Sequence, residues 1–380
     1  MFQYQSTANI IFGWGVAEAV GAEVKKYGSR ALIVTGGSST KNSGLLERTM
    51  RLLEEEGISW VLFDKVTSNP LVSTVMEGAA LLNSEGCDVV LGLGGGSSMD
   101  AAKAISLMAL SGGEPEDYTF GRRTVERALP MVMVPTTCGT GSEVNGISVL
   151  SNEHSKDKKA VASPHLIARA SLIDPQLMTT MPREVYASVA FDALAHLMEG
   201  YLTTTSNPMS DCYTIRGMEL MRDHMVRVYE NSAGREGWEA VTWASTLGGL
   251  SIHAAGLFAP HGLEHPLSGL RNVAHGKGLA AITPAIFQAT LPQRGDRFAH
   301  ISRIFGGKDE TDCPQAVKNL LKSLDLCLTL QDLGFTNGDL DWLADNCIKV
   351  GSKNLQKSPV VFDRSQVRAL YETSLTFNER

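Results

Sequence analysis

Asp192 and His196 stand four residues apart in a stretch of helical apolar spacing, and His261, His265 and His275 follow in a later part of the chain. Side chains at i and i+4 leave an α-helix on one face, so the Asp192 carboxylate and the His196 imidazole can converge on one ion; His261 and His265 share that relation. Imidazoles with one carboxylate suit a divalent metal of borderline hardness such as Fe(II), Zn(II), Ni(II) or Mn(II). Neither a thiolate-rich site nor an all-oxygen calcium site is indicated. Spacing alone leaves open which of the three later histidines complete a four-ligand set. His265-Pro266 and His275-Gly276 read as segment ends where side chains can meet. His154, His165, His224, His253 and His300 lack such companions and read as structural or surface residues.

A second set of residues suits phosphate. Gly92-Leu93-Gly94-Gly95-Gly96-Ser97-Ser98-Met99-Asp100-Ala101-Ala102-Lys103 joins an apolar run to a helical pattern, so backbone amides at a helix start can face a pyrophosphate. The spacing differs from G-x-G-x-x-G, because Ser97 occupies the third glycine's place. Pro135-Thr136-Thr137-Cys138-Gly139-Thr140-Gly141-Ser142-Glu143 likewise follows an apolar run and offers hydroxyls and amides to a polar pocket. A third loop, Gly36-Gly37-Ser38-Ser39-Thr40-Lys41, lacks the acidic residue that commonly holds a ribose 2′-hydroxyl, while Ser38, Ser39 and Lys41 would tolerate a 2′-phosphate. That loop favours NADP(H) over NAD(H).

The elements that must position these residues fall into two halves. Ala31 to Thr35, Trp60 to Phe63, Asp88 to Leu93, Pro130 to Pro135 and Ala168 to Ile173 read as buried strands, with helical patterns at 44–56 and 75–84 between them. Strands alternating with helices predict a mainly parallel sheet. From Pro182 the pattern becomes helical, over 184–202, 211–229, 240–255, 277–289 and 314–324. The reading is an α/β, Rossmann-like dinucleotide-binding domain at 1–180 and an all-α metal-binding and substrate domain at 181–380.

A chain of 380 residues exceeds what one core usually serves, in keeping with two domains. The net charge of −7 and the lack of any Lys/Arg-rich run argue against a nucleic acid or anionic membrane as main partner, and leave a small molecule. Six scattered cysteines without a Cys-x-x-Cys pair fit reduced thiols in a cytoplasm. Met1 to Ser6 carry no basic-then-apolar leader, and no long apolar run exists, so neither secretion nor membrane insertion is expected.

In order along its full length, the Gly94 to Lys103 loop, the Pro135 to Glu143 loop, Asp192-Ala193-Leu194-Ala195-His196, His261-Gly262-Leu263-Glu264-His265-Pro266-Leu267 and His275-Gly276 together resemble the group III, iron-containing alcohol dehydrogenases. Their fold is similar to that of dehydroquinate synthase and glycerol dehydrogenase. The resemblance implies metal ligands at Asp192, His196, His261 and His275, with His265 uncoordinated near the substrate. It implies a pyrophosphate loop at Gly94, Gly95, Gly96 and Ser97 with Asp100, and nicotinamide and ribose contacts at Thr136, Thr137, Thr140 and Ser142. Lys158 would touch the cofactor, and Asn69-Pro70 would lie near the adenosine. Gly36 stands where many members carry an acidic residue, Cys138 where alanine is common and Asn145 where threonine is common.

The implied activity is hydride transfer between NAD(P)(H) and a primary alcohol or aldehyde. Fe(II), or alternatively Zn(II), would serve as Lewis acid toward the substrate oxygen, with His265 relaying the proton. A homodimer is implied as well. The alternatives are a glycerol or polyol dehydrogenase and a dehydroquinate-synthase-like lyase; the lyase builds its metal site on a different Glu/His/His set.

Overall fold

The computed structural model describes residues 8–377; Met1 to Ser6, read above for a leader, lie outside them. The chain divides into two compact units, the first ending at Met181 and the second beginning at Pro182.

The first unit is built on a six-stranded sheet of β1 (Asn9–Phe12), β2 (Arg30–Gly36), β3 (Ser59–Val66), β4 (Val89–Gly94), β5 (Met131–Pro135) and β8 (Ala170–Ile173). Its order is β1-β8-β5-β4-β2-β3, and every pairing is parallel. Alternate residues of each strand serve opposite faces: Leu32, Val34 and Val90 belong to one core, Ala31, Ile33, Val89 and Leu91 to the other. A sheet covered on both faces needs continuous apolar strands, which is why β2, β4 and β5 read so clearly in the sequence. Since neighbouring strands run the same way, the loops after Gly36, Val66, Gly94 and Pro135 all leave one edge of the sheet. That carboxyl edge is where open α/β sheets bind ligands. The sequence reading did not foresee β1, nor the antiparallel ribbon of β6 (Ile147–Ser151) and β7 (Lys158–Ala162). Four or five residues of ordinary composition carry little periodicity, and long-range pairing makes them strands.

The second unit contains only helices among its described residues. Arg183–Leu202 is its central element, with nearly all of its side chains from Tyr186 onward buried, as expected of a helix surrounded by others. It packs against Pro208–Tyr229, Gly234–Ala255 and His275–Thr290. His265-Pro266 is not a segment end but lies inside a helix, Ala259–Arg271. Proline removes the N–H that would bond to the carbonyl four residues back. Here that carbonyl, Gly262 O, accepts from Cys347 Sγ at 3.4 Å instead, so the helix continues through Pro266. It ends at Asn272 in the left-handed conformation, φ 51°. The helices Leu340–Val350 and Arg364–Ser374 were also not foreseen.

Candidate metal centre and nucleotide loops

Three helices bring the chemistry-bearing residues of the second unit together. Arg183–Leu202 carries Asp192, His196 and Glu199 on one face, Ala259–Arg271 carries His261, Glu264 and His265, and His275 is the first residue of His275–Thr290. Asp192 Oδ1 lies 3.5 Å from His196 Nε2, 3.6 Å from His261 Nε2 and 3.7 Å from His275 Nε2. The ligand-capable atoms of Asp192, His261 and His275 all fall within 4.8 Å of one another. The rings of His196 and His261 stack at 4.6 Å, and His261 meets His275 edge-on at 5.1 Å.

These residues fit a divalent ion. Four ligands each about 2.1 Å from a shared ion would be separated by about 3.4 Å in a tetrahedron, close to the spacing around Asp192 Oδ1, with His196 near that oxygen but outside the 4.8 Å grouping of Asp192, His261 and His275. Asp192 Oδ1 and His261 Nε2 are buried and accept or donate no hydrogen bond among the described residues, a costly arrangement unless a cation satisfies them. Burial would push the Asp192 carboxyl up, but His196, His275 and His261 together hold it well below the usual carboxylate range. Burial would push His261 down, yet Glu199 and Asp192 override it and raise the imidazole to about 10. Close packing makes the arrangement possible: a Cβ at Gly276 would lie 1.9 Å from Ser188 O. His265 is 8% exposed, one turn beyond His261, and its ring centre lies 6.1 Å from that of His275.

In the first unit the glycine loop and the threonine loop touch. Thr136 N donates to Gly94 O at 3.0 Å, and a Cβ at Gly96 would meet Thr140 Cγ2 at 2.4 Å. Gly94 has φ 147°, and Gly95 and Ser97 remain partly exposed at the edge. Thr137 packs beside Gly95. Asp100 and Ser142, both expected at the cofactor, also bind each other. Ser142 Oγ donates to Asp100 Oδ1 at 2.6 Å, Val149 N donates to Asp100 Oδ2 at 3.1 Å, and Lys103 Nζ reaches Ser142 Oγ at 2.8 Å and Ile147 O at 2.6 Å. Burial pulls Lys103 down to about 8, with Asp100 and Glu143 opposing. These bonds brace the 136–145 segment. Lys158 is buried at the start of β7, and its charge acts on Asp100.

Beside the Gly36 loop stands a residue that sequence reasoning missed. Lys41 forms an ion pair with Asp64 on β3, so a carboxylate does stand near this loop. Asp64 is remote in sequence, and only the β2–β3 pairing reveals it. Gly36 is paired with Val66 across a register shift, and a Cβ there would lie 2.1 Å from Val66 O. Ser38 and Ser39 stand beside Gly37, whose φ is 56°, at the start of the short helix Ser39–Asn42. Asn69 adopts φ 53° just past β3.

Residues 7–175 match the family model for the iron-containing alcohol dehydrogenase, and residues 186–375 match that for the C-terminal part of the Fe-containing alcohol dehydrogenase family. The chain belongs to the iron-containing alcohol dehydrogenase family. It is 30% identical over 371 residues to alcohol dehydrogenase 4 of Saccharomyces cerevisiae strain YJM789, covering 96% of each chain. It is 29% identical over 382 residues to a 1,3-propanediol dehydrogenase of Klebsiella pneumoniae, covering 98% of each. Among solved structures, the NADH-dependent butanol dehydrogenase A of Thermotoga maritima superposes with TM-score 0.92 at 31% identity, over 98% of both chains. Like its family, this chain is a metal-dependent alcohol dehydrogenase, and the family implies a divalent metal and a nicotinamide cofactor.

Two further residues of this iron-containing alcohol dehydrogenase were not singled out from sequence. Glu199 Oε1 lies 2.6 Å from His261 Nδ1, and Glu264 Oε2 contacts His275 Nδ1; neither glutamate has any exposure. Glu199 falls seven residues after Asp192 and Glu264 three after His261, so helical periodicity about the ligands is the signal that could have found them. Among the described residues, no helix is long and apolar enough to cross a membrane, and no disulfide joins any of the six cysteines.

Proposed function

We propose that this dehydrogenase interconverts primary alcohols and aldehydes, that Asp192, His196, His261 and His275 hold its metal, and that NADP(H) is the preferred coenzyme. The observation that carries the reading is the ring of three Nε2 atoms 3.5, 3.6 and 3.7 Å from a single buried carboxylate oxygen. When bound there, a divalent ion supplies Lewis acidity toward the oxygen of an alcohol or aldehyde, and Fe(II) is the proposed ion with Zn(II) the alternative. The names of the propanediol and butanol relatives support short primary alcohols as the substrate class.

The chain's own residues would do the rest. Gly94, Gly95, Gly96 and Ser97 present backbone amides to a pyrophosphate at the start of Gly96–Met108, and Thr136, Thr137 and Thr140 line the neighbouring loop. Asp100, Ser142 and Lys103 hold that loop in place. His265, buried one turn from His261, takes or returns the alcohol proton. A 2′-phosphate would meet Ser38, Ser39 and Lys41. The Lys41–Asp64 pair is exposed and cheap to open, so Lys41 is available to a phosphate. The expected homodimer and a cytoplasmic setting complete the proposal.

The test is a metal-defined assay of the purified protein with a panel of alcohols and aldehydes, NAD(H) and NADP(H) side by side. Turnover of short primary alcohols with a higher kcat/KM for NADP(H) is expected. Turnover confined to polyols, or a clear preference for NAD(H), would overturn the corresponding part.

A further inference from the structure

Two of the metal-centre histidines, His261 and His275, are gripped from behind. Glu199 Oε1 sits 2.6 Å from His261 Nδ1, while its Oε2 accepts from Phe258 N at 3.2 Å and His261 N at 3.5 Å. Glu264 repeats the arrangement on another ring: its Oε2 contacts His275 Nδ1 and its Oε1 accepts from Ser268 Oγ. Room has been left for this second carboxylate, since a Cβ at Gly278 would lie 2.9 Å from Glu264 Cγ and Oε1. Each glutamate oxygen lies against its histidine's Nδ1, the arrangement in which a metal-ligating imidazole donates its Nδ1 proton to a carboxylate. On a neutral imidazole the lone pair then belongs to Nε2, the atom that faces Asp192 in both histidines.

We propose that Glu199 and Glu264 are positioning residues of the metal centre. Each accepts the Nδ1 proton of one histidine, fixes the ring's tautomer and rotation, and adds negative charge that strengthens the opposite nitrogen as a donor. His261 and His275 are thus set as ligands before any ion arrives. The inference rests on the reading of Asp192, His196, His261 and His275 as the ion-holding set, and it assigns to each glutamate a share of metal affinity rather than a chemical step.

The experiment uses the metal-stripped full chain and Zn(II) alone, with the dissociation constant read by competition against a chromophoric chelator. Wild type is compared with Glu199→Gln, Glu199→Ala, Glu264→Gln, Glu264→Ala and Gly278→Ala, and with His261→Ala as the benchmark for a lost ligand. Glutamine keeps an acceptor oxygen but loses the charge, whereas alanine loses both, so affinity falls about 10-fold for the glutamine variants and about 100-fold for the alanine variants. Gly278→Ala pushes on the Glu264 carboxylate without touching a ligand and weakens binding about as much as Glu264→Gln. Nitrogen-15 imidazole spectra of the metal-free protein show His261 and His275 protonated at Nδ1, a signature that the alanine variants lose; a purely structural role would not move it. Should Glu199→Ala fail to fold, Glu199→Gln and Gly278→Ala decide the matter. Alanine variants that bind Zn(II) within twofold of wild type overturn the proposal. Wild type that binds no more tightly than His261→Ala overturns the metal-centre reading itself, and is recognisable as such.

Discussion

Gly276→Ala is a one-methyl change with a large expected effect on the metal centre. Gly276 follows His275 at the start of His275–Thr290, where that helix crosses Arg183–Leu202. An added Cβ would stand 1.9 Å from Ser188 O, 2.7 Å from Ser188 C and 2.8 Å from Ser188 Oγ, whereas real Cβ contacts essentially never fall under 3.0 Å. The obstacle is backbone, which no side-chain rotation relieves. The start of the helix must therefore retreat by about 1.1 Å from the helix that carries Asp192 and His196, taking His275 with it. Metal–ligand distances tolerate about 0.2 Å, so the retreat is several times what coordination allows. Misplacement by about 1 Å costs on the order of 100-fold in rate, and overpacking costs about 1–3 kcal/mol of stability. The assay is metal per chain after dialysis against a competing chelator, followed by turnover with a short alcohol, with the melting temperature of the metal-free protein as the check on folding. The variant should fold, lose most of its metal and turn over at least about 100-fold more slowly. Metal content and turnover within twofold of wild type would refute the reasoning that this close approach sets the His275 ligand.

His265→Ala should retain its metal yet slow turnover by about 100-fold or more, with partial rescue by added imidazole; unchanged turnover would remove His265 from proton transfer. Lys41→Ala should lower the NADP(H) to NAD(H) ratio of kcat/KM and Asp64→Asn should raise it, whereas Gly36→Asp would strike Val66 O and test only the backbone. If neither Lys41→Ala nor Asp64→Asn moves the ratio, the pair does not govern coenzyme choice. Burial raises Glu143 to about 7 from an ordinary 4.5. Between those values the native state holds a proton the unfolded chain has lost, so this group's contribution to stability falls as pH rises, by up to about 3 kcal/mol. Glu143→Gln should accordingly match wild type near about pH 5 and melt higher near about pH 8, and a difference that does not vary with pH would contradict this.

What could be read from sequence followed from local pattern. The apolar strands Ala31 to Thr35, Asp88 to Leu93 and Pro130 to Pro135, and the i, i+4 pair Asp192 and His196, are short-range features, and each is an element or a shared helical face in the structure. What was missed depends on partners distant in the chain. Pro266 reads as a helix breaker until Cys347, eighty-five residues after Gly262, is seen to satisfy Gly262 O. Asp64 seems unrelated to the Gly36 loop until β2 and β3 pair. Glu199 and Glu264 look like ordinary helical glutamates until His261 and His275 are found against them. Asp100 and Ser142 match the motif, yet their side chains are bonded to each other, which no motif spacing discloses.

A metal titration of the stripped protein tests most directly whether Asp192, His196, His261 and His275 form a catalytic metal site. Fe(II) is added stepwise under anaerobic conditions while alcohol-dependent formation of NAD(P)H is followed by its absorbance. Activity should start near zero, rise in proportion to added metal and level off at one ion per chain, with His261→Ala flat throughout. Metal-free protein that already oxidises the alcohol at the full rate, or a His261→Ala variant that titrates like wild type, would contradict it.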